Sequence, residues 1–386
     1  MNKVRLGIIG MGNIGSHHAE YLRSGKVNRC ELVAVCSTSP AKLEKYQPLK
    51  IYGSGEDLID SGTVDAVLIA TPHYQHTSLG IAALENGLHV MVEKPISAHK
   101  ADAERLIAAH RKSRRKKLVF AGMFQLRAEP RYLKIRELIQ SGELGDIARV
   151  SWIITDWYRT EAYYSSGGWR ATWKGEGGGV LLNQCLHNLD TLQWLCGMPA
   201  RVRGFCQLGR YHNIEVEDNV TAYLEYPNRA TGVFITSTGE APGTNRLEIA
   251  GTRGRIVLES DKLNFIRNEV SMTEFSKSSK VGFLKPEARN IEIPIENAVA
   301  PHATLMQNFV DAILDGAPLI APGAEGIHSV ELANAMLFSS LRNKTVDLPL
   351  NGAAYERKLK RLIAGSKIKK RVVKVSTEDF SKSFSR

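Results

Sequence analysis

What the chain lacks limits what it can be. No stretch approaches the roughly 18 consecutive apolar residues that cross a bilayer. The opening MNKVRLGIIG runs straight into a strand-like segment, without the apolar stretch and cleavage site of a signal peptide. A soluble, cytoplasmic protein with no membrane partner is expected. Cysteine is scarce: Cys30, Cys36, Cys185, Cys196 and Cys206 are irregularly spaced, odd in number and form no CxxC. That argues against a disulfide framework or a zinc site, and no metal is expected. Acidic residues are outnumbered, 40 against 51 basic, for a net charge of +11. The basic runs RKSRRKK (111–117) and KIKKRVVKV (367–375) have no interleaved aromatics, so they read as solvated surface rather than as a nucleic-acid site. A positive field also suits an anionic substrate.

What is present suggests two domains, since 386 residues exceed one ordinary core. The β-rich run Val4 to Ile9 leads into Gly10, Met11, Gly12, Asn13, Ile14 and Gly15, then into a helix-like segment. A GxGxxG between strand and helix is a dinucleotide fingerprint. Gly10 allows the tight turn, Gly12 lets backbone approach a pyrophosphate, and Gly15 lets helix pack on strand. The helix start, with Asn13 and Ile14, offers free N–H groups to phosphate. The next strand, ELVAVCSTS, ends in Ser37 and Thr38 where an NAD site usually carries Asp or Glu. No carboxylate is there to repel a 2′-phosphate, and Lys42 follows, so the cofactor is NAD or NADP, with NADP slightly favoured.

VDAVLIATP, LHVMVEKP and KLVFAGMF read as buried strands, and HTSLGIAALENG and AHKADAERLIAAHRKS as helices. The alternation predicts an α/β domain with a doubly wound parallel Rossmann sheet, its ligand outside the carboxyl ends of the strands. Thr71, Pro72 and Lys94 stand at such ends, the lysine between Glu93 and Pro95.

Further along, LLNQCLHNLD (181–190) spaces Asn183, His187 and Asp190 for one helical face, just after Gly177 to Gly179. The glycines are expected to admit a ligand close to the backbone. Before them, DWYRTEAYYSSGGWRATWKGE (156–176) is dense in aromatics and arginine. Aromatic faces stack on sugar rings and guanidinium forks grip hydroxyls or anions, so Tyr158, Arg159, Tyr163, Trp169 and Arg170 are candidate substrate contacts.

These segments, in this order, resemble the Gfo/Idh/MocA oxidoreductases, sugar-acting NAD(P) enzymes, over most of the chain. The likeness rests on the GxGxxG with His18 after it, Thr71-Pro72 with His76, Glu93-Lys94-Pro95, GGGVLLNQCLHNLD and a YYxSxxWR-type loop. It implies a Rossmann domain at 1–125, a substrate-binding and oligomerisation domain at 126–365, and a basic tail at 366–386. The second domain would be α+β with an open, mainly antiparallel sheet, matching the strand-like runs IARVSWIIT, RVRGFCQLG, NVTAYLEY, ATGVFITST, RLEIAGT and GRIVLES and helices near 129–141, 302–315 and 324–342.

By the same resemblance, Thr71, Pro72, His76 and Glu93 serve the cofactor, and Lys94 binds both cofactor ribose and substrate. His187 takes the hydroxyl proton, Gln125 and Arg127 contact substrate, and homodimers or homotetramers form. The chain departs from the pattern at Asn183, where an aspartate usually stands. Asn183 can still orient a sugar hydroxyl, and Asp190 can fix the His187 tautomer. The leading reading is hydride transfer between nicotinamide and a carbon of a sugar, sugar derivative or glycoside. Redox-neutral cleavage of a glycoside, possibly an anionic one, and a non-catalytic NAD(P)-binding regulator remain as alternatives.

Overall fold

A computed structural model describes residues 2–113, 117–296, 300–370 and 372–373. The middle of the first basic run and most of the basic tail lie outside them. The first domain places β1 (Val4–Ile9), β2 (Cys30–Cys36), β3 (Lys50–Tyr52), β4 (Ala66–Ile69), β5 (His89–Val92) and β6 (Phe120–Gly122) in one sheet of order β3-β2-β1-β4-β5-β6. Every pair is parallel. All four residues of β4 are buried, as a strand covered on both faces requires. The intervening helices are α1 (Asn13–Arg23), α2 (Gly55–Asp60), α3 (His73–Glu85) and α4 (Lys100–Lys112). The order reverses beside β1, the switch point where such sheets bind ligands.

After α5 (Pro130–Gln140), the second domain builds a sheet from β7 (Ile147–Ile154), β8 (Arg201–Leu208), β9 (Glu217–Glu225), β10 (Thr231–Ser237), β11 (Asn245–Gly251), β12 (Gly254–Glu259), β13 (Lys262–Asn268), β14 (Ala288–Ile293) and β15 (Val346–Asp347). It is antiparallel except for the β7–β10 pair. The six expected strands are all present. β13, β14 and β15 were not legible, because β14 is almost wholly exposed and β15 is two residues long, so neither carries an alternating pattern.

The remaining helices are α6 (Glu161–Ser165), α7 (Leu186–Cys196), α8 (Met272–Ser278), α9 (Pro301–Asp315), α10 (Ile327–Arg342) and α11 (Gly352–Gly365). α7 and α10 cover one face of the large sheet, and α10 comes so close that a Cβ on Gly204 of β8 would lie 2.2 Å from the Met336 carbonyl oxygen. The late helices also return to the first domain. On α9, His302 packs edge-on to His17 of α1 with ring centroids 5.2 Å apart. Lys100 of α4 pairs with Glu331 of α10 at 2.9 Å, and Arg105 with Glu356 of α11 at 2.8 Å. The late helices thereby tie the two domains together. Among the described residues, no helix is long and apolar enough to cross a membrane.

Candidate active site

The dinucleotide end follows from three glycines. Gly10 has φ +102°, and a Cβ there would lie 2.6 Å from the Ala70 carbonyl oxygen, so only glycine fits the turn out of β1. A Cβ on Gly15 would collide with the Gly10 carbonyl oxygen. Gly12, by contrast, faces open space and helps line a cavity of about 350 Å³ together with Asn13, Ser16, Lys42 and Lys45. The start of α1 opens into this cavity, and no side chain caps its amides. A pyrophosphate therefore fits the residues present. Ser37 and Thr38 end β2 beside the cavity rather than in its lining, and Lys45 is a cation that the motif did not point to.

Two buried histidines hold the neighbouring loops. The ring nitrogens of His76 lie 2.6 Å from the Pro95 carbonyl oxygen and 2.7 Å from that of Thr71, clamping the loop after β4 to the loop after β5. His76 is 1% exposed, so it shapes these loops from behind. His18 Nε2 lies 2.6 Å from Glu93 Oε1, and Nδ1 lies 2.6 Å from the Tyr21 hydroxyl. Burial would raise the Glu93 carboxyl, but the hydrogen bond and charge of His18 outweigh it and hold the group down to about 2. Glu93 thus stays ionised and turned inward.

Lys94 is turned toward the second domain. Its Nζ donates to the Asn183 carbonyl oxygen at 2.9 Å. Burial lowers its pKa, with Arg159 and Arg170 adding to the effect, while Glu93 and Glu176 oppose it. Asn183 does not sit on a helix with His187, contrary to the spacing argument: α7 begins only at Leu186. Glu217 on β9 anchors the segment that precedes α7. Its carboxylate accepts the Gly179 and Leu181 amides at 2.8 and 3.2 Å, and its carbonyl accepts Val180 N–H at 2.9 Å. Residues 177–185 are a run of turns, in which the Asn183 N–H donates to the Gly179 carbonyl oxygen at 2.9 Å. The glycines there make room for protein rather than ligand, since a Cβ on Gly179 would lie 2.0 Å from the Glu217 carbonyl oxygen.

Asn183 Nδ2 donates to Glu176 Oε1 at 2.5 Å and lies 3.4 Å from the Tyr163 hydroxyl. Glu176 is 2% exposed and also accepts the Ala171 amide at 2.5 Å. Burial raises its pKa, against Arg170 and these hydrogen bonds. A carboxylate therefore stands directly behind the amide that occupies the aspartate position. Sequence reading missed Glu176, although its place just before three glycines is a usable signal.

His187 sits at the start of α7, 8% exposed, with Nε2 3.3 Å from Gln125 Nε2. Burial and the Lys94 charge push its pKa well below 6.5. Its Nδ1 and the Gln125 Oε1 are buried without hydrogen-bond partners. Asp190 does not fix the His187 tautomer as expected. Arg127 takes both of its oxygens, Nε and Nη2 each at 2.7 Å, and also pairs with Glu325. Breaking one side of such a buried pair typically costs about 3–5 kcal/mol. With 1% exposure and its guanidinium so engaged, Arg127 is a strut that anchors α7, not a group presented to substrate.

The aromatic loop forms a ladder. The Arg159 guanidinium lies over the Trp157 and Tyr163 rings at 5.4 and 5.1 Å, and that of Arg170 over Tyr163 and Trp169, each at 4.7 Å. The Tyr163 hydroxyl accepts from Arg170 Nη1 at 3.0 Å and Gln184 Nε2 at 3.1 Å. Tyr158 is outside the ladder and 47% exposed. The contacts thus link Lys94 to Asn183, Asn183 to Tyr163, Tyr163 to Arg170 and Gln125 to His187, with Arg159 and Trp169 stacked beside the tyrosine and arginine.

Residues 4–122 match the Gfo/Idh/MocA oxidoreductase family, NAD-binding Rossmann fold, and residues 132–257 match the Gfo/Idh/MocA C-terminal domain. The chain is 27% identical to myo-inositol 2-dehydrogenase of Thermotoga maritima over 271 residues, covering 67% of this chain and 75% of that enzyme. It is 28% identical to bovine (Bos taurus) trans-1,2-dihydrobenzene-1,2-diol dehydrogenase over 257 residues, covering 65% and 72%. Among solved structures, the WlbA dehydrogenase of Chromobacterium violaceum, in complex with NADH and UDP-GlcNAcA, superposes with a TM-score of 0.78 at 26% identity over 91% of this chain and 97% of the other.

Proposed function

The chain belongs to the Gfo/Idh/MocA oxidoreductases, and from that premise we propose that it is an NAD(P)-dependent dehydrogenase of a sugar, sugar derivative or related polyol. The observation that carries the proposal is the Lys94 bond to the Asn183 carbonyl at 2.9 Å, joining the loop beside the dinucleotide cleft to the segment that leads into His187. In this reading His187, kept neutral by burial and by Lys94, accepts the proton of the reacting hydroxyl. Lys94 polarises the hydroxyl oxygen. Bound NAD(P) supplies the hydride acceptor. Asn183 has its amide nitrogen committed to Glu176 and so keeps its amide oxygen for a second hydroxyl. Tyr163 and Arg170 supply further polar contacts, with Gln125 beside the base. The relatives are sugar and polyol dehydrogenases, and no feature of the site favours glycoside cleavage or a purely regulatory role over this reading. The exposed Phe205 and Tyr223 on the outer face of β8 and β9 support a homodimer or homotetramer joined there, which sedimentation at micromolar concentration would read.

A panel of sugars, uronic acids and cyclic polyols, each with NAD and with NADP, tests the function. Stoichiometric formation of reduced nicotinamide with at least one of them is expected. Product release without any reduced nicotinamide would sink the dehydrogenase reading, as would failure of the whole panel to react.

For the cofactor, Lys42 and Lys45 line the cavity next to the end of β2, and no acid stands at Ser37. NADP is expected to bind at least comparably to NAD. Ser37→Asp should move the preference toward NAD by about tenfold or more, through repulsion of the 2′-phosphate. An unchanged ratio of the two dissociation constants would show that Ser37 does not face the ribose.

A further inference from the structure

The segment that follows α11 does not leave the molecule. Ser366 Oγ donates to Glu215 Oε2 at 2.5 Å, and Glu215 Oε1 accepts the Trp173 amide at 2.8 Å, so one carboxylate joins the start of the segment to the end of the aromatic loop. Four residues on, Lys370 Nζ donates to the Tyr164 carbonyl oxygen at 2.8 Å and also to that of Arg170. Val373 N–H then donates to the Ser165 carbonyl at 2.9 Å, and Val372 lies over Gly168. Directly, or through Glu215 in the case of Ser366, these contacts fall on residues 164–173.

The choice of carbonyls matters. Tyr164 follows Tyr163, and Arg170 is the residue whose guanidinium donates to the Tyr163 hydroxyl at 3.0 Å. A single ammonium bridging the two backbones therefore sets the separation of the two side chains. The two domains hold the flanks of the loop, through the Tyr164 hydroxyl 2.8 Å from Thr238 Oγ1 and the Trp173 carbonyl accepting from the Tyr74 hydroxyl at 2.8 Å, and Lys370 joins the two backbones between them. Within the described residues the Lys370 ammonium makes no ion pair closer than these two carbonyl contacts. Burial lowers its pKa and the Arg170 charge adds to this, while Glu176, Glu161 and Glu215 favour its protonated form.

We propose that residues 366–370, with Val372 and Val373, form a strap belonging to the substrate site, and that Lys370 is a positioning residue that holds the Tyr163–Arg170 contact in register for the sugar. The proposal rests on the reading of this loop as the substrate loop. It assigns a role to a segment lying beyond both matched family regions.

The test compares the full chain with Lys370→Met, which keeps the length of the side chain and removes its donors, and with Lys370→Arg, which can again donate to two carbonyls. Hydrogen exchange of residues 163–173 is followed in each, alongside steady-state kinetics with the best substrate of the panel. Lys370→Met is expected to speed exchange in the loop and raise the sugar KM about tenfold, the scale of one lost hydrogen bond from a charged group. kcat and the NAD(P)H dissociation constant should stay close to those of the parent, and Lys370→Arg should restore both loop exchange and KM. Unchanged loop exchange in Lys370→Met overturns the strap. Faster exchange with unchanged KM overturns its role in the sugar site, and so does an equal fall in kcat and melting temperature without a change in KM. A parent chain that oxidises no sugar defeats the function proposed above, and exchange then decides the strap alone.

Discussion

Replacing His187 by alanine is expected to slow sugar oxidation about 10²- to 10⁴-fold, the usual value of a placed general base. The dissociation constant for NAD(P)H should not change, because the Gly10–Gly15 turn and the cavity beside it are untouched. The pH dependence gives the sharper test. Oxidation needs the neutral imidazole, and burial together with the Lys94 charge lowers the His187 pKa well below 6.5. The parent enzyme should therefore hold its oxidation rate through neutral pH and lose it only on the acid side, as His187 protonates. The reverse reaction, reduction of a ketone, needs the protonated ring and should fade as pH rises through the same value. His187→Ala should remove both limbs. If the variant keeps turnover and limb alike, α7 only packs, and the base must be sought at Tyr163 or Lys94. A melting curve matched to the parent would exclude misfolding as the cause of the loss.

Lys94→Met should have the next largest effect, about 10²- to 10³-fold in kcat, the scale seen when one preorganised donor to a developing charge is removed. Cofactor affinity should fall far less, since the pyrophosphate end is held by α1 and the glycine turn. A second consequence follows from the arrangement of charges. Lys94 helps to hold the His187 pKa down, so its removal should move the remaining acid limb upward, toward 6.5. Near-parental turnover would remove Lys94 from the chemistry. An unmoved limb would mean that the lysine and the histidine do not share the cleft. Lys94→Arg is not expected to rescue, because a planar fork cannot occupy the space of a compact ammonium donating to the Asn183 carbonyl.

Much of the first domain was legible from local chemistry. The strand, glycine turn and helix at Val4 to Arg23 each obey a short-range rule: a buried run, a φ that only glycine adopts, and a helix start left open for an anion. Alternation of such units leaves a parallel sheet as the natural solution, and the strand ends at Thr71 and Lys94 follow from it. In the second domain six strands could be read; β13, despite its buried Leu263 and Phe265, and the thin edge strands β14 and β15 could not.

The site was legible as a set of residues and not as a set of partners. Residue types and spacing singled out Lys94, Asn183 and His187; Lys94 bonds the Asn183 carbonyl and its charge reaches His187. Spacing also suggested one helix for Asn183 and His187 and a bond from His187 to Asp190, and neither forms. Glu217, distant in sequence, captures the amides of 179 and 181, and Arg127, from the turn after β6, captures Asp190. Glu176 behind Asn183, seven residues away, and Lys370 across the aromatic loop, 206 residues from Tyr164, were likewise settled by packing. A buried charge or amide must find a complementary group wherever the packed chain brings one near. Period and propensity describe neighbours a few residues apart, whereas the pairings that orient this site span from 7 to more than 200 residues and are set by how the chain packs.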